Sequence, residues 1–400
     1  MSNKTNFMKI TCFDNFEQLG HYADAWQRLA SGVPFRDWAW LSRWWQHYGP
    51  GHRLAVLGVF NDGGTLVGLA PWYVERTALH GRVLRFLGSG KVCSDYMSIL
   101  CHPSAESAVI DILSDYLVQS LDNGLRWDLL DLEGVDAEDR TVGRLVTNLA
   151  TEGCSIHRRS GLNCWRLELP THWDTYLTSL SRNLRRDFRR LDRDLISTHR
   201  AKLHSVTCID ALPEAMAILV TLHQRRRKML GESGCFISPQ FLDFYNDVVP
   251  ELFRRGQVQL HWLEIDGCPV ASEFQLVGDG TLYTYQAGIA PDALAHQPGK
   301  LIYFIILRRA IEQGYRAFDF LRGDEPYKAR FGAQARPSLR IRIVPPAPAA
   351  QFRHHLWLAG FALKNMAKQE LQQWGFGTRC PPFDLPKASD TNPQSLIPNP

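Results

Sequence analysis

The segment from Thr281 to Gly332 leaves this chain little choice of architecture. Thr281-Leu-Tyr-Thr-Tyr-Gln-Ala-Gly-Ile289 is dense in β-branched and aromatic residues and reads as a strand. After a loop holding Pro291 and Pro298, Gly299-Lys300 opens an apolar helix over residues 301–313, which Gly314 ends. Tyr315-Arg-Ala-Phe-Asp-Phe-Leu321 is a second strand, broken at Arg322-Gly323-Asp324-Glu325-Pro326-Tyr327-Lys328. Regular elements this apolar must be covered on both faces, which predicts a parallel strand pair joined by a crossover helix. The polar residues gather beyond the strand ends, where α/β sheets hold their ligands.

The chain of 400 residues is too long for one ordinary core, so two or three units are expected. A charged fraction of 22% with a net charge of only +4 argues against disorder over most of the length and makes any electrostatic argument a local one. Nine cysteines without a Cys-x-x-Cys pair fit a reducing compartment better than a disulfide framework, and no metal is expected. Residues 1–16 carry no apolar signal core, and the apolar run 356–363 is far short of the ~20 residues of a spanning helix. The reading is a soluble, cytoplasmic protein.

Taken in order, residues 16–29 and 38–48 have helical spacing. Residues 54–60 and 66–74 make a hairpin around Asn61-Asp-Gly-Gly64. Strands follow at 82–87 and 96–100, then a helix at 105–121, a strand at 127–132 and a helix at 140–151. The second part repeats this order. It has helices at 180–196, 212–230 and 241–253, then a hairpin of 258–265 and 270–277 around Asp266-Gly267, leading into the opening unit. Two similar α+β units with mixed central sheets result, 1–160 and 161–346, with 339–344 closing the second. A helix over 351–374 and a proline-rich, disordered tail over 381–400 complete the chain.

On a helical wheel at ~100° per residue, Arg182, Arg185, Arg186, Arg189, Arg190 and Arg193 share one face, opposite Leu180, Leu184, Phe188, Leu191 and Leu195. This is a solvated face or a site for a phosphate-bearing or acidic ligand, with Arg182, Arg186 and Arg189 as its candidates. Arg225-Arg-Arg-Lys228 supplies a second basic cluster.

Ser181-Arg-Asn-Leu-Arg-Arg-Asp-Phe188, Leu222-His-Gln-Arg-Arg226 and above all residues 318–332 resemble the GNAT-type acyltransferases of the cellulose-biosynthesis (CelD-like) family. Pro34-Phe35, Trp38, Trp44-Trp45 and Leu69-Ala-Pro71 add to the likeness. The resemblance implies tandem GNAT-like domains, as in the Fem peptidyltransferases. It also implies transfer of an acyl group from acyl-CoA or another activated donor to an amine, in polysaccharide or envelope assembly. The family's pyrophosphate loop corresponds here to His296-Gln297-Pro298-Gly299-Lys300, with one glycine rather than two. Gln297, Gly299 and Lys300 are then the donor-binding candidates, at the positive end of a helix.

Acyl transfer to an amine needs a neutral nucleophile, donors for the carbonyl oxyanion and a proton for the leaving group. The sequence offers no Cys–His or Gly-x-Ser-x-Gly arrangement, so direct attack is expected. Asp324 or Glu325 would take the amine proton, although Asp324 serves equally as a helix cap. Tyr327 would protonate the leaving sulfur, and Lys328 would hold a phosphate or orient Asp324. Backbone N–H groups at Gln286-Ala-Gly288 would hold the oxyanion, with Gly288 allowing close approach. Glu273 is a second base or a structural carboxylate, Asp319 pairs with an arginine such as Arg322, itself an anion-binding candidate, and His223 lies on a helix face. The rival readings are a Fem-like transferase using aminoacyl-tRNA, in which the arginine face holds the tRNA, and a non-catalytic accessory protein of polysaccharide synthesis whose last helix touches a membrane surface. DNA is not an expected partner.

Overall fold

The computed structural model describes residues 8–123 and 125–373, with the side chains of 120–123 and 361–373 left aside. The tail expected to be disordered, 381–400, lies outside the described residues. In the first half, β1 (Lys9–Phe13) leads to α1 (Phe16–Gly20), α2 (Ala23–Leu29) and α3 (Trp38–Tyr48). Asp37 starts α3 by accepting the Ala39 N–H at 2.7 Å, and Trp40 and Trp44 carry its buried face. There follow β2 (Arg53–Leu54), β3 (Val56–Phe60), β4 (Leu66–Ala70), β5 (Trp72–Thr77), β6 (Gly81–Phe86) and β7 (Leu100–Cys101). Of the strand expected at 96–100 only its end forms, because Tyr96 takes a left-handed φ of 58°. The half continues with α4 (Glu106–Asn123), β8 (Leu129–Asp136), α5 (Arg140–Thr151) and β9 (Ser155–Ser160).

The second half opens with β10 (Cys164–Glu168), α6 (Trp173–Ser179) and α7 (Arg182–Leu191). Ser181 divides the helix expected over 180–196, ending one segment and capping the next through the Leu184 N–H. Then come β11 (Ala201–Ser205), α8 (Leu212–Met229), α9 (Pro239–Arg254), β12 (Val258–Ile265), β13 (Cys268–Gly278), β14 (Thr281–Ile289), α10 (Pro298–Glu312), β15 (Ala317–Arg322) and α11 (Pro326–Arg330). The chain finishes with β16 (Gln334–Arg336), β17 (Ser338–Val344) and α12 (Pro348–Gln373).

The parallel pair expected from the sequence is β14 with β15, with α10 crossing between them. The first half repeats the device: β6 pairs β8 in parallel and α4 crosses over. The sheets run β1-β3-β4-β7, β2-β5-β6-β8-β17-β9 and β11-β12-β13-β14-β15-β10-β16. The closing strand therefore does not complete the second unit, as a boundary of 161–346 supposes. β17 lies between β8 and β9 in the first half's sheet, and β10 takes the matching place beside β15. Each half is completed by a strand next to its parallel pair, and both β17 and β10 carry ladders on both edges.

Two buried polar contacts then lock the halves. Arg322 donates to Asp95 at 2.7 Å and reaches Glu133 at 3.3 Å, and the Tyr96 hydroxyl donates to Asp319 at 2.6 Å. Deleting residues 338–400 should open one edge of β8, leave β9 unpaired and abolish cooperative unfolding of the first half. Deleting 374–400 should leave it intact. Tryptophan fluorescence during urea titration reads this directly, since Trp26, Trp40, Trp44 and Trp72 are buried in that half.

Candidate active site

Parallel pairing of β14 with β15 stops at Tyr283 opposite Asp319, and beyond it β14 continues without that neighbour. On its other edge Phe274 faces Gln286 while Gln275 faces Thr284, so Tyr285 is an extra residue that bends the strand. Around this bend the Gln275 amide, Thr284 Oγ1 and Glu273 Oε2 are buried without a hydrogen-bond partner among the described residues. Three orphaned polar groups at one place are costly unless something polar meets them.

The face of this sheet under α10 packs Leu282, Phe318 and Phe320, whereas Tyr283 and Tyr285 pack toward the first half. On the α10 side lies a cleft of ≈ 400 Å³, walled by Ser181, Asn183, Leu184 and Asp187 of the arginine segment, by Gly299, Lys300 and Tyr303 of α10, and by Tyr327, Arg330 and Phe331. Tyr327 and Lys300 thus open onto one space. Gln297, at a left-handed φ of 52°, turns the chain into α10 without a side-chain cap, so the helix presents its first turn to the cleft. Lys300 Nζ sits 2.6 Å from Asp187 Oδ2. Tyr303 and Tyr327 stack at 5.8 Å between ring centroids, and Glu273, Tyr303 and Tyr327 form a hydrogen-bonded row leading from the core to the cleft. Burial pushes the Glu273 carboxyl well above its ordinary 4.5, which keeps it protonated, and raises the Tyr327 phenol also. Arg182, Arg186 and Arg189 are exposed and do not line the cleft, and they make no hydrogen bond or ion pair among the described residues. The second basic cluster is engaged locally: Arg225 binds Asp292 at 2.7 Å and Arg227 binds Glu232.

Other candidates have different employment. Lys328 is 2% exposed and gives its three protons to the carbonyls of Leu321, Arg322 and Gly323 at 3.0–3.1 Å, with Glu325 at 2.9 Å. It pins the turn after β15 and has no donor left for a phosphate or for Asp324. Asp324 accepts from Asn163 Nδ2 and Trp165 Nε1, fastening β10 to the same turn, and the residue before α11 is Glu325. Arg322 is held by Asp95 and Glu133 rather than open to an anion, and Asp319 takes its hydrogen bond from Tyr96, not from Arg322. Burial raises the Asp319 carboxyl to about 6. Gly288 leaves room for α8, not for a ligand: a Cβ there would lie 2.6 Å from the backbone nitrogen of His223. Gln286 turns away from the cleft toward Cys235, at 3.5 Å.

The sequence reading missed two features. Cys235 Sγ lies 3.7 Å from His223 Nε2, a thiol–imidazole pair the sequence was read as lacking. Their spacing of twelve residues, on a loop and a helix, matches no local motif. The second feature is a cavity of ≈ 790 Å³ between the halves, lined by Arg36, Arg166 and Arg336, by Asp136, Asp139, Glu138, Glu168 and Asp279, and by Tyr96 and Tyr283. It borders the β14–β15 junction from the face opposite the cleft.

Residues 180–329 match the family model of an acetyltransferase (GNAT) domain. Among solved structures, FemX superposes with a TM-score of 0.59 at 10% identity, over 82% of this chain and 98% of its own. A conserved protein of unknown function from Bacteroides thetaiotaomicron gives 0.53 at 11% identity, over 84% of this chain and 100% of its own. The C-terminal domain of a putative lysylphosphatidylglycerol synthetase from Agrobacterium fabrum gives 0.50 at 12% identity, over 85% and 95% respectively. No curated protein matches the sequence significantly. The fold is thus a mixed α/β one whose two halves share a parallel strand pair with a crossover helix, and the acetyltransferase (GNAT) match falls in the second.

Arg322→Ala would strand the Asp95 carboxylate, 2% exposed, and should cost about 3–5 kcal/mol in chemical denaturation. Burial lowers His223 and His261 from 6.5 to about 4, so the unfolded chain binds protons that the folded one refuses. Stability should therefore be lost as pH falls from about 6.5 toward 4, and His261→Gln should flatten that slope in melting experiments.

Proposed function

We propose that this chain is a transferase moving an acyl group from an activated donor to an amine, with the donor seated in the cleft between α7, α10 and α11. The observation that carries the reading is the meeting of Lys300, the uncapped start of α10 and Tyr327 in one cleft, with protonated Glu273 behind Tyr327. A phosphate-bearing donor suits this entrance, since the first N–H groups of α10 and Lys300 are positive and Gly299 keeps the backbone approachable. The orphaned Gln275 and Thr284 side chains offer polar partners further in. Tyr327 then supplies the proton that the leaving group needs, and Tyr303 and Glu273 replace it.

The acceptor amine enters from the larger cavity, whose five carboxylates exceed its three arginines and favour a cationic group carrying some negative charge of its own. Acyl-CoA is the donor most in keeping with the acetyltransferase match. A second reading, with aminoacyl-tRNA as donor, is favoured by one observation: Arg182, Arg186 and Arg189 stand exposed on the same helix whose Asn183, Leu184 and Asp187 line the donor cleft, a surface that suits a nucleic-acid backbone. A cytoplasmic location follows from either donor, and no helix of the described residues is long and apolar enough to cross a membrane. A role in polysaccharide or envelope assembly rests on the sequence resemblance alone, carried above all by residues 318–332. In the first turns of α12 one face packs inward, with Arg342 3.8 Å from the Trp357 ring centroid and His354 buried, while Phe352 and Leu356 stay exposed, a feature in keeping with the accessory-protein reading.

Acetyl-CoA, long-chain acyl-CoA and aminoacyl-tRNA should be offered with a panel of primary amines, following amide formation by mass spectrometry. Tyr327→Phe should lower kcat by about 100-fold or more. Glu273→Gln, which cannot return a proton through Tyr303 to Tyr327, should lower kcat as well. If no donor binds or turns over, or if both variants match the native protein, the proposal fails.

A further inference from the structure

The thiol–imidazole pair has no part in the scheme above, and its geometry is that of a nucleophile with its base. His223 Nδ1 lies 3.0 Å from the Ala287 carbonyl oxygen and must donate its proton there. The lone pair is therefore on Nε2, which faces Cys235 Sγ at 3.7 Å. Burial lowers the ring to about 4 and raises the thiol to about 12, so the pair rests as neutral imidazole and thiol, and the proton passes to Nε2 only as the sulfur bonds to carbon. Gly234, at φ +71°, turns the chain so that the N–H groups of Cys235 and Phe236 favour a charged sulfur; a Cβ at 234 would lie 2.2 Å from Gln224 Oε1. Cys235 is only half-buried.

The position matters as much as the pair. Ala287, whose carbonyl orients His223, is the register partner of Glu273 across β13 and β14. The acid row therefore ends on one face of β14 and the thiol on the other, both along the stretch that β15 no longer covers. A carbonyl lodged in that gap would have a nucleophile on one side and a proton source for its leaving group on the other.

We propose that Cys235 carries the acyl group covalently, taking it from a thioester donor before the amine does; this rests on the transferase reading. In the first step Cys235 sulfur bonds to the donor's carbonyl carbon, and the bond from that carbon to the donor sulfur breaks. The Cys235 proton goes to His223 Nε2, and the departing sulfur takes a proton from Tyr327. In the second step the neutral amine bonds to the same carbon and the bond to Cys235 breaks. Cys235 recovers its proton from His223, and the proton shed by nitrogen restores the row from Tyr327 to Glu273. His223 touches only the nucleophile, and Gln286 positions it.

The test uses the full chain, the acetyl thioester of N-acetylcysteamine and isotope-labelled free N-acetylcysteamine, with no amine present. A covalent carrier exchanges label into the thioester and gains one acetyl mass on the peptide holding Cys235. Cys235→Ala, checked for folding by circular dichroism, should abolish both, and alkylation of the native protein by iodoacetamide at Cys235 should do the same. His223→Gln should slow exchange by about 100-fold or more. Amide formation at equal rates in the native and Cys235→Ala proteins, without exchange, overturns the carrier and leaves the transferase standing. Absence of exchange, adduct and amide with every thioester overturns both.

Discussion

The structure depends on an exchange of strands. β10, which follows the first half in the chain, pairs with β15 of the second, and β17, the last strand of all, inserts between β8 and β9 of the first. Backbone hydrogen bonds in a sheet interior have no substitute, so neither half can satisfy its edges without the other. The exchange also presses the loop before β7 against the ends of β14 and β15. There Tyr285 donates to the Val92 carbonyl, Tyr96 to Asp319, and Arg322 to Asp95. Tyr96 and Leu321 both hold left-handed φ angles at this junction, 58° and 57°, a strain of about 1–3 kcal/mol each that these contacts offset. The gap in the sheet and the cavity between the halves follow from that joint.

From this the division of labour in the candidate site can be understood. Residues at and after the end of β15 that looked chemical are mostly spent on holding the joint: Lys328 ties three carbonyls, Asp324 fastens β10, and Arg322 bridges the halves. What is left over is more telling. Glu273, Gln275 and Thr284 are buried with polar atoms unmatched, beside a strand that has lost its neighbour. Lys300 is half-committed to Asp187, so an anion arriving at α10 must compete with a carboxylate already there.

The strand, helix, strand unit and the glycine turns were legible because their signals are local: apolar runs, an opening Gly299, a closing Gly314. The sharing of one cleft by Tyr327 and Lys300 was legible too, because in such a unit both lie at the same end of the sheet. The placement of β17 was not, since Ser338-Leu-Arg-Ile-Arg-Ile-Val344 alternates equally well for either sheet and nothing local names its partner. Lys328 misled because sequence shows a charge but not its burial. The Cys235–His223 pair was hidden because the fold of α8 against Gly288, not spacing, brings the two together.

The position of β17 also orders events during synthesis. Residues 9–160 leave the ribosome first, yet their larger sheet stays open between β8 and β9 until residue 344 has emerged. At ~5–20 residues per second, that exposes the open edge of the apolar strand β8 for on the order of ten seconds or more. A nascent chain of this kind has reason to meet a chaperone before it meets a substrate.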